Sequence, residues 1–103
     1  MQTHKAKRVE IIIERVMERR LTEAMTRADV TGWSVLPMLG GSGRSGEWSR
    51  EGQISRGTGL VQVVCIIRPE KLDPLLDQVF SVVERQIGVV SVCDCEILRA
   101  ERF

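Results

Sequence analysis

Residues 40–59 read GGSGRSGEWSREGQISRGTG, and this stretch decides how the rest of the chain must be organised. It holds seven of the nine glycines and only two apolar side chains, Trp48 and Ile54, so it cannot build a core of its own. Loops of this length inside a small domain are uncommon and usually functional. We therefore expect a long surface loop that carries the function of the protein.

Four segments around this loop have the composition of β-strands. Their ranges are 8–14, 33–39, 60–68 and 89–98. Pro37 has no N–H to donate, which indicates that the second of these strands lies at a sheet edge. The third is a continuous apolar run, as is typical of a central strand. In the first, Val9, Ile11 and Ile13 alternate and should share one face.

Two further segments, 15–29 and 69–86, have apolar side chains at helical spacing. The stripe of the second consists of Leu72, Leu75, Leu76, Val79, Phe80, Val83 and Ile87. Pro74 falls in its first turn and Gly88 follows its end, which are the positions these residues favour. The order β-α-β-loop-β-α-β predicts one α+β domain over residues 1–103, a ferredoxin-like fold.

This fold has a four-stranded antiparallel sheet with both helices on one face. The other face, on which we place Ile12, Val61 and Val63, needs a cover, and a second subunit is the simplest one. The chain carries 15 Lys and Arg against 14 Asp and Glu, which argues against a nucleic-acid binder or a polybasic membrane anchor. No apolar segment approaches the length of a membrane span, so we expect a cytoplasmic protein.

The three cysteines, Cys65, Cys93 and Cys95, are expected to be buried, reduced thiols. A redox pair or a metal site is the alternative, but the C-x-x-C spacing is absent. The only histidine, His4, lies in a terminal stretch that we expect to be disordered. With no tyrosine, no nucleophile elbow and no shared carboxylate face, the sequence predicts that the protein is not an enzyme and holds no metal or prosthetic group.

The first part of the loop has the chemistry of an anion cradle. Glycines let successive N–H groups turn toward one point, and the guanidinium of Arg44 suits phosphate or carbonate oxygens. A solvated loop without a ligand is the alternative. Trp48 predicts either a contact surface for a partner or an anchor that folds the loop onto its own body.

Two motifs then show a family resemblance. Residues 31–35 (TGWSV) are similar to the entry into strand two of the PII signalling family, and residues 41–44 (GSGR) to the base of its T-loop. With the matching element order, the chain resembles that family over nearly its full length, with the T-loop at about 40–59. Residues 36–48 resemble most the PII-like proteins encoded with carboxysomes and inorganic-carbon uptake.

The resemblance implies a homotrimer with adenine nucleotides in the clefts between subunits. The implied nucleotide-binding residues are Gly32, Ser34, Gly41, Ser42, Gly43, Arg44, Gly88, Val89, Arg99 and Arg102. Ser34 would face the adenine, residues 41–44 would hold phosphates, and Arg99 or Arg102 would reach them from a neighbouring subunit. In the carboxysome branch bicarbonate is a second ligand, which Gly41, Gly43 and Arg44 would hold.

The departures from the family narrow the ligands. Ser45 replaces the glutamine that 2-oxoglutarate sensors use to help hold a metal ion, so that ligand is not expected. The second phosphate loop shrinks to residues 86–89, which favours ADP or AMP over ATP, with cyclic AMP as a further candidate. Trp48 and Arg50 would contact a protein target, for which the branch implies a carbon-uptake transporter or a carboxysome component.

The sequence therefore predicts a regulatory protein in which nucleotide, with bicarbonate, orders the T-loop. Three alternatives have the same element order or size. An RNA-binding module would need aromatic residues on its central strands, and a small-ligand module of the amino-acid-binding type would not need the long loop. A small enzyme would need an acid–base pair that the sequence does not offer.

Overall fold

The computed structural model describes residues 1–44, 46–49, 59–86, 88–99 and 101. Within them the chain forms strand β1, helix α1, strands β2 to β5, helix α2 and strand β6. Their bounds are β1 His4–Glu14, α1 Glu18–Arg27, β2 Ser34–Pro37, β3 Gly40–Gly43, β4 Gly46–Ser49, β5 Leu60–Ile67, α2 Leu72–Val83 and β6 Gly88–Ile97. Single 3₁₀ turns, Arg15–Met17 and Pro69–Lys71, lead into the two helices.

Strands β2, β5, β1 and β6 form one antiparallel sheet in that order. This is the sheet of a ferredoxin-like fold, and it confirms the fold class expected from the sequence. Strand β2 lies at an edge and ends at Pro37, where a further ladder donor would be missing. Strand β5 lies between β2 and β1, in the central position that its apolar run predicted.

Both helices pack on one face of the sheet. The core under them includes Val9, Ile11 and Ile13 of β1, Leu21 and Met25 of α1, and Leu75 and Val79 of α2. Each of these side chains is at most 1 % exposed. The helical stripes therefore bury most of their apolar side chains against every second residue of β1, as the periodicity predicted. Phe80 of the α2 stripe is an exception, because it is 62 % exposed, and Ile87 lies outside the described residues.

The opposite face, which we call the open face, differs from the expectation in β5. Val61 and Val63 point into the core, whereas Ile12 does lie on the open face. Because all positions of β5 except Gln62 are apolar, alternation could not assign its faces. Gln62 pairs with Ile12 and marks the open face, which also carries Leu36, Ile66 and Val89, each more than a third exposed.

The terminal stretch is ordered where disorder was expected, because His4 begins β1 and pairs with Ile97 of β6. Strand β1 is thereby longer than the apolar run that predicted it. An ion pair between Lys7 and Asp94 joins the same two strands near this end and lowers the pKa of the Asp94 carboxyl. Among the described residues, no helix has the length and apolar character needed to cross a bilayer.

The prediction of three buried thiols holds for Cys65 but is wrong for Cys93, which is exposed, and Cys95 is half-buried. Both residues of the pair lie on the open face of β6, an edge strand that is covered on one side only. The apolar character of their neighbours indicated a strand but not which face the helices would cover. Burial raises the pKa of the Cys65 thiol to about 11.

This shift predicts a loss of stability at high pH. The unfolded thiol ionises near pH 8.5, whereas the folded one stays protonated to about pH 11. A group whose pKa is raised by folding contributes stability that is complete below the unfolded pKa and is lost as the pH rises through the folded one. We expect the urea midpoint of the protein to fall between pH 9 and 11.

The matched variants isolate the thiol responsible. Cys65→Ala starts from a lower midpoint because it leaves a cavity, but its decline with pH should be shallower than that of the unchanged protein. Cys93→Ala should keep the full decline, since this thiol is exposed. Equal declines in the two variants would contradict the assignment to Cys65.

Candidate functional site

A cleft of about 330 Å³ opens where β2 begins, between the α1–β2 connection and the end of β5. Its walls include Gly32, Trp33 and Ser34 from the start of β2 and Val64 and Ile66 from β5. Asp29, which ends the helical segment with φ of 61°, turns the chain from α1 toward this edge of the sheet. The cleft is thus lined partly by apolar residues of the strands and partly by polar residues of the segment that leads into β2.

Three cationic side chains contribute to this cleft: Arg8, Arg68 and Lys71, with Asp29 as the one acidic residue among its described walls. Lys71 Nζ donates to the carbonyl oxygen of Asp29 at 3.0 Å, which fixes the lysine beside the segment that leads into β2. Arg8 Nε donates to Glu10 Oε1 at 2.7 Å, and this hydrogen bond raises the pKa of Arg8 above its usual value. A positive cleft of this kind suits an anionic ligand.

The structure places two of the predicted nucleotide-binding residues in this cleft, Gly32 and Ser34. A Cβ atom on Gly32 would meet no atom within 4 Å, so the absent side chain leaves open space rather than relieving a clash. Ser34 pairs with Val64 and is exposed on the open face. The sequence missed Arg8, Arg68 and Lys71, which only the topology of the sheet brings together.

Residues 41–44 lie elsewhere, in a hairpin of β3 and β4 that the sequence did not predict. Gly41 pairs with Trp48 and Gly43 with Gly46, while Arg44 is exposed in the turn between the strands. Gly46, with φ of 102°, supplies the left-handed residue after the turn. Strands β3 and β4 therefore form a second, two-stranded sheet.

This hairpin corrects the expected geometry of the anion cradle. A nest needs alternating right- and left-handed residues, but neither Gly41 nor Gly43 has a positive φ. In an extended strand, successive N–H groups point to opposite sides and cannot converge on one anion. The guanidinium of Arg44 stays available in the turn, so it is the group at this end that suits an anion best.

Gly88 and Val89 lie in the first two positions of β6 and not in a phosphate loop. Gly88 pairs with Ile13, and a Cβ on it would lie 3.1 Å from the carbonyl oxygen of Ile12. Close packing against β1 therefore gives a structural reason for glycine here. Val89 is 60 % exposed on the open face, where it would meet whatever covers the sheet.

Arg99 follows the end of β6, and its Nε lies 3.2 Å from Glu101 Oε1 in an exposed ion pair. Arg50 and Arg102, the other two predicted contact residues, lie outside the described residues, as does Ser45. So does most of the second half of the T-loop. In the described part of the chain no cluster of His, Cys, Asp and Glu side chains is arranged to hold a metal ion.

The predicted site residues fall into two groups, one where β2 begins and one where β2 ends, and Arg99 lies at the far end of β6. The hairpin leaves β2 where β1 ends and β6 begins, because Pro37 is level with Val61 of β5, and that residue pairs with Ile13. We call this the hairpin end; it holds residues 41–44, Gly88 and Val89. The cleft end holds Gly32 and Ser34, and Arg99 lies beyond it.

One chain cannot bring Arg99 and the hairpin end onto one small ligand. Gly88 and Arg99 are separated by the whole of β6, which at ~3.3 Å per residue spans roughly 35 Å. A nucleoside diphosphate is much shorter than this strand. Residues of the hairpin end of one copy and the cleft end of another can meet only where two copies pack together.

Comparison with protein families matches residues 6–102 to the family described as nitrogen regulatory protein P-II. The match covers both ends of the sheet and the loop between β2 and β5. A search of curated protein sequences found no match.

Solved structures resemble the whole chain. One is CPII, a nitrogen regulatory PII-like protein from Thiomonas intermedia K12, bound to ADP, AMP and bicarbonate; it is 26% identical with a TM-score of 0.90, over 99% of this chain and 96% of that one. CPII bound to ADP and bicarbonate is 28% identical with a TM-score of 0.85, over 99% and 97%. The apo form of CPII is 26% identical with a TM-score of 0.75, over 95% and 97%.

Proposed function

This chain belongs to the nitrogen regulatory protein P-II family, and we propose that it senses adenine nucleotides together with bicarbonate at clefts between its subunits. The observation that carries the proposal is the separation of Arg99 from the hairpin end by the whole length of β6. A ligand held by both ends requires two copies of the chain. Membership of this family favours a regulatory role for the site. Among the described residues, no acid–base pair suggests catalysis.

The expected assembly is a homotrimer. The open face leaves Leu36, Ile66 and Val89 in contact with solvent in a single copy, and burying such side chains contributes about 1.5–3 kcal/mol each. Copies that pack through this face would cover it. The same packing would bring the hairpin end of one subunit to the cleft end of the next, which is what a shared ligand needs.

For the ligand we propose ADP or AMP, with bicarbonate as a second anion. The structurally similar CPII is bound to these three molecules. The cleft end of one subunit offers Gly32 and Ser34 to the adenosine, and Arg99 or Arg102 of the same subunit would reach its phosphates. Arg44 at the hairpin end of the neighbouring subunit offers a forked cation to phosphate or bicarbonate oxygens. In this proposal Gly41, Ser42 and Gly43 form the strand that carries Arg44, and Gly88 and Val89 lie at the same end of the sheet. ATP and cyclic AMP are weaker candidates.

The signal would pass through the T-loop. In our proposal the bound ligands fix residues 40–49, and Trp48 and Arg50 then contact a target protein. A carbon-uptake transporter or a carboxysome component in the cytoplasm is the target class that the carboxysome-associated branch of the family suggests. The order of the hairpin, rather than a chemical step, would be the output.

Calorimetric titration tests this proposal. ADP and AMP should give saturable binding to the assembled protein, ATP and cyclic AMP weaker binding, and bicarbonate should tighten the binding of ADP. Sedimentation of the same sample should give three times the protomer mass of 11.6 kDa. A protein that is indifferent to all four nucleotides, with and without bicarbonate, would refute the proposed function.

A further inference from the structure

We propose that Trp48 is a positioning residue for Arg44, because its indole packs on the bare backbone of Gly41 and thereby holds the hairpin that presents the arginine. This inference rests on the proposed function, since it assigns the control of ligand affinity at the same site. It adds a specific contact, between Trp48 and Gly41, and the expectation that losing this contact lowers ligand affinity. Losing the indole should weaken binding even though the indole lies on β4 and Arg44 lies in the turn.

The hairpin has little else of its own to stabilise it. Each strand has four residues, and β3 contains Gly40, Gly41 and Gly43, which lose the most backbone entropy when they are ordered. A two-stranded hairpin alone is marginally stable in water. The fraction of molecules with a formed hairpin should therefore depend strongly on any side chain that packs across the pair.

Trp48 provides such packing, directly opposite Gly41 in the register. A Cβ added to Gly41 would lie 3.0 Å from Trp48 Cζ2, 3.1 Å from Cε2 and 3.2 Å from Nε1. The ring therefore occupies the space over the glycine that any other residue would fill. The indole is half-buried, although it lies among residues that are otherwise exposed.

The neighbouring glycines show that the contact between Trp48 and Gly41 is distinct from a general need for backbone flexibility. At Gly40 a Cβ would lie 2.9 Å from the carbonyl oxygen of Trp48, so the two backbones also approach closely there. At Gly43 a Cβ would meet nothing within 4 Å. None of the three has a positive φ, so alanine is not excluded by backbone conformation at any of them. Gly41 differs from Gly43 in what lies above it.

Arg44 occupies the turn that these strands close. An arginine on a disordered chain must lose backbone and side-chain freedom when it binds, and a formed hairpin removes part of that cost in advance. The packing of Trp48 is thus transmitted to the ligand through preorganisation. Ordering one such segment changes affinity by about 2- to 10-fold, which is the effect we expect at this site.

The first arm of the test uses the protein without ligand. The two tryptophans give two indole N–H signals in NMR spectra of ¹⁵N-labelled protein, and Trp48→Phe assigns them. Gly41→Ala should shift the signal of Trp48 and weaken the cross-strand contacts of the hairpin, whereas Gly43→Ala should leave that signal in place. Equal responses to the two substitutions would overturn the packing of Trp48 on Gly41.

The second arm measures ADP affinity by calorimetry. Trp48→Ala should weaken ADP binding about 2- to 10-fold, and Trp48→Phe, which keeps a ring over Gly41, should restore most of the loss. A merely structural defect elsewhere would not follow the presence of a ring. If the unchanged protein binds ADP and Trp48→Ala binds it equally well, the inference fails and the proposed function stands. If the unchanged protein binds no adenosine phosphate, the proposed function fails.

Discussion

Replacing Arg44 by alanine should reduce ADP affinity by about 10- to 100-fold, the largest loss expected from a single exposed side chain. A hydrogen bond between charged groups contributes about 1.5–3 kcal/mol, and the substitution removes the guanidinium that would make it. The side chain is exposed in the turn of the hairpin, so its loss should not affect folding. Calorimetry at fixed salt concentration measures the change.

Arg19→Ala is the matched control for this prediction. It removes the same charge from an exposed position on α1, far along the chain from both groups of site residues. The two variants therefore have the same net charge and should have the same thermal stability. Equal ADP affinities for them would remove Arg44 from the site, while a loss confined to Arg44→Ala would support its role.

Replacing Leu21 by alanine should lower the free energy of unfolding by about 2–5 kcal/mol, which is a large part of the stability of a domain this size. Leu21 is fully buried in α1, against the face of β1 that carries Ile11 and Ile13. Truncation loses the buried methyl groups and leaves a cavity that the packed sheet cannot fill. Urea unfolding at a fixed protomer concentration measures the effect, because assembly adds to apparent stability.

Val16→Ala provides the comparison for Leu21→Ala. Val16 is 64 % exposed in the 3₁₀ turn that precedes α1, so the same type of truncation there should change stability by no more than about 0.5 kcal/mol. If Val16→Ala proves as costly as Leu21→Ala, the core does not lie where α1 meets the sheet. A small effect of Leu21→Ala would contradict the same placement.

The sequence predicted those parts of the fold in which buried apolar side chains recur at a regular spacing. The α2 stripe and the alternation of Val9, Ile11 and Ile13 in β1 record which face each element buries. Strand β5 is apolar on both faces and shows no alternation of apolar and polar residues. Val61 and Val63 were therefore assigned to the wrong face. Cys93 shows the same limit on a strand that the helices only partly cover.

The candidate site was predictable in its residue types but not in its geometry. Glycines and Arg44 indicated anion chemistry, yet cross-strand pairing with Trp48 makes residues 40–43 a strand and not a nest. That pairing depends on a contact between residues seven positions apart, which composition does not show. Arg8 and Lys71 meet in the cleft only because β1 pairs with β5, so no local motif could indicate them.

The division of the site between two copies is tested most directly by mixing defective subunits. Arg44→Ala disables the hairpin end, and replacing both Arg99 and Arg102 by alanine disables the cleft end. Each variant alone should bind ADP weakly. Unfolding and refolding them together forms mixed assemblies, in which some clefts combine two unaltered ends. The account predicts that these assemblies recover a fraction of tight ADP sites. No recovery in mixed assemblies, or tight binding by the Arg99 and Arg102 double variant alone, would contradict it.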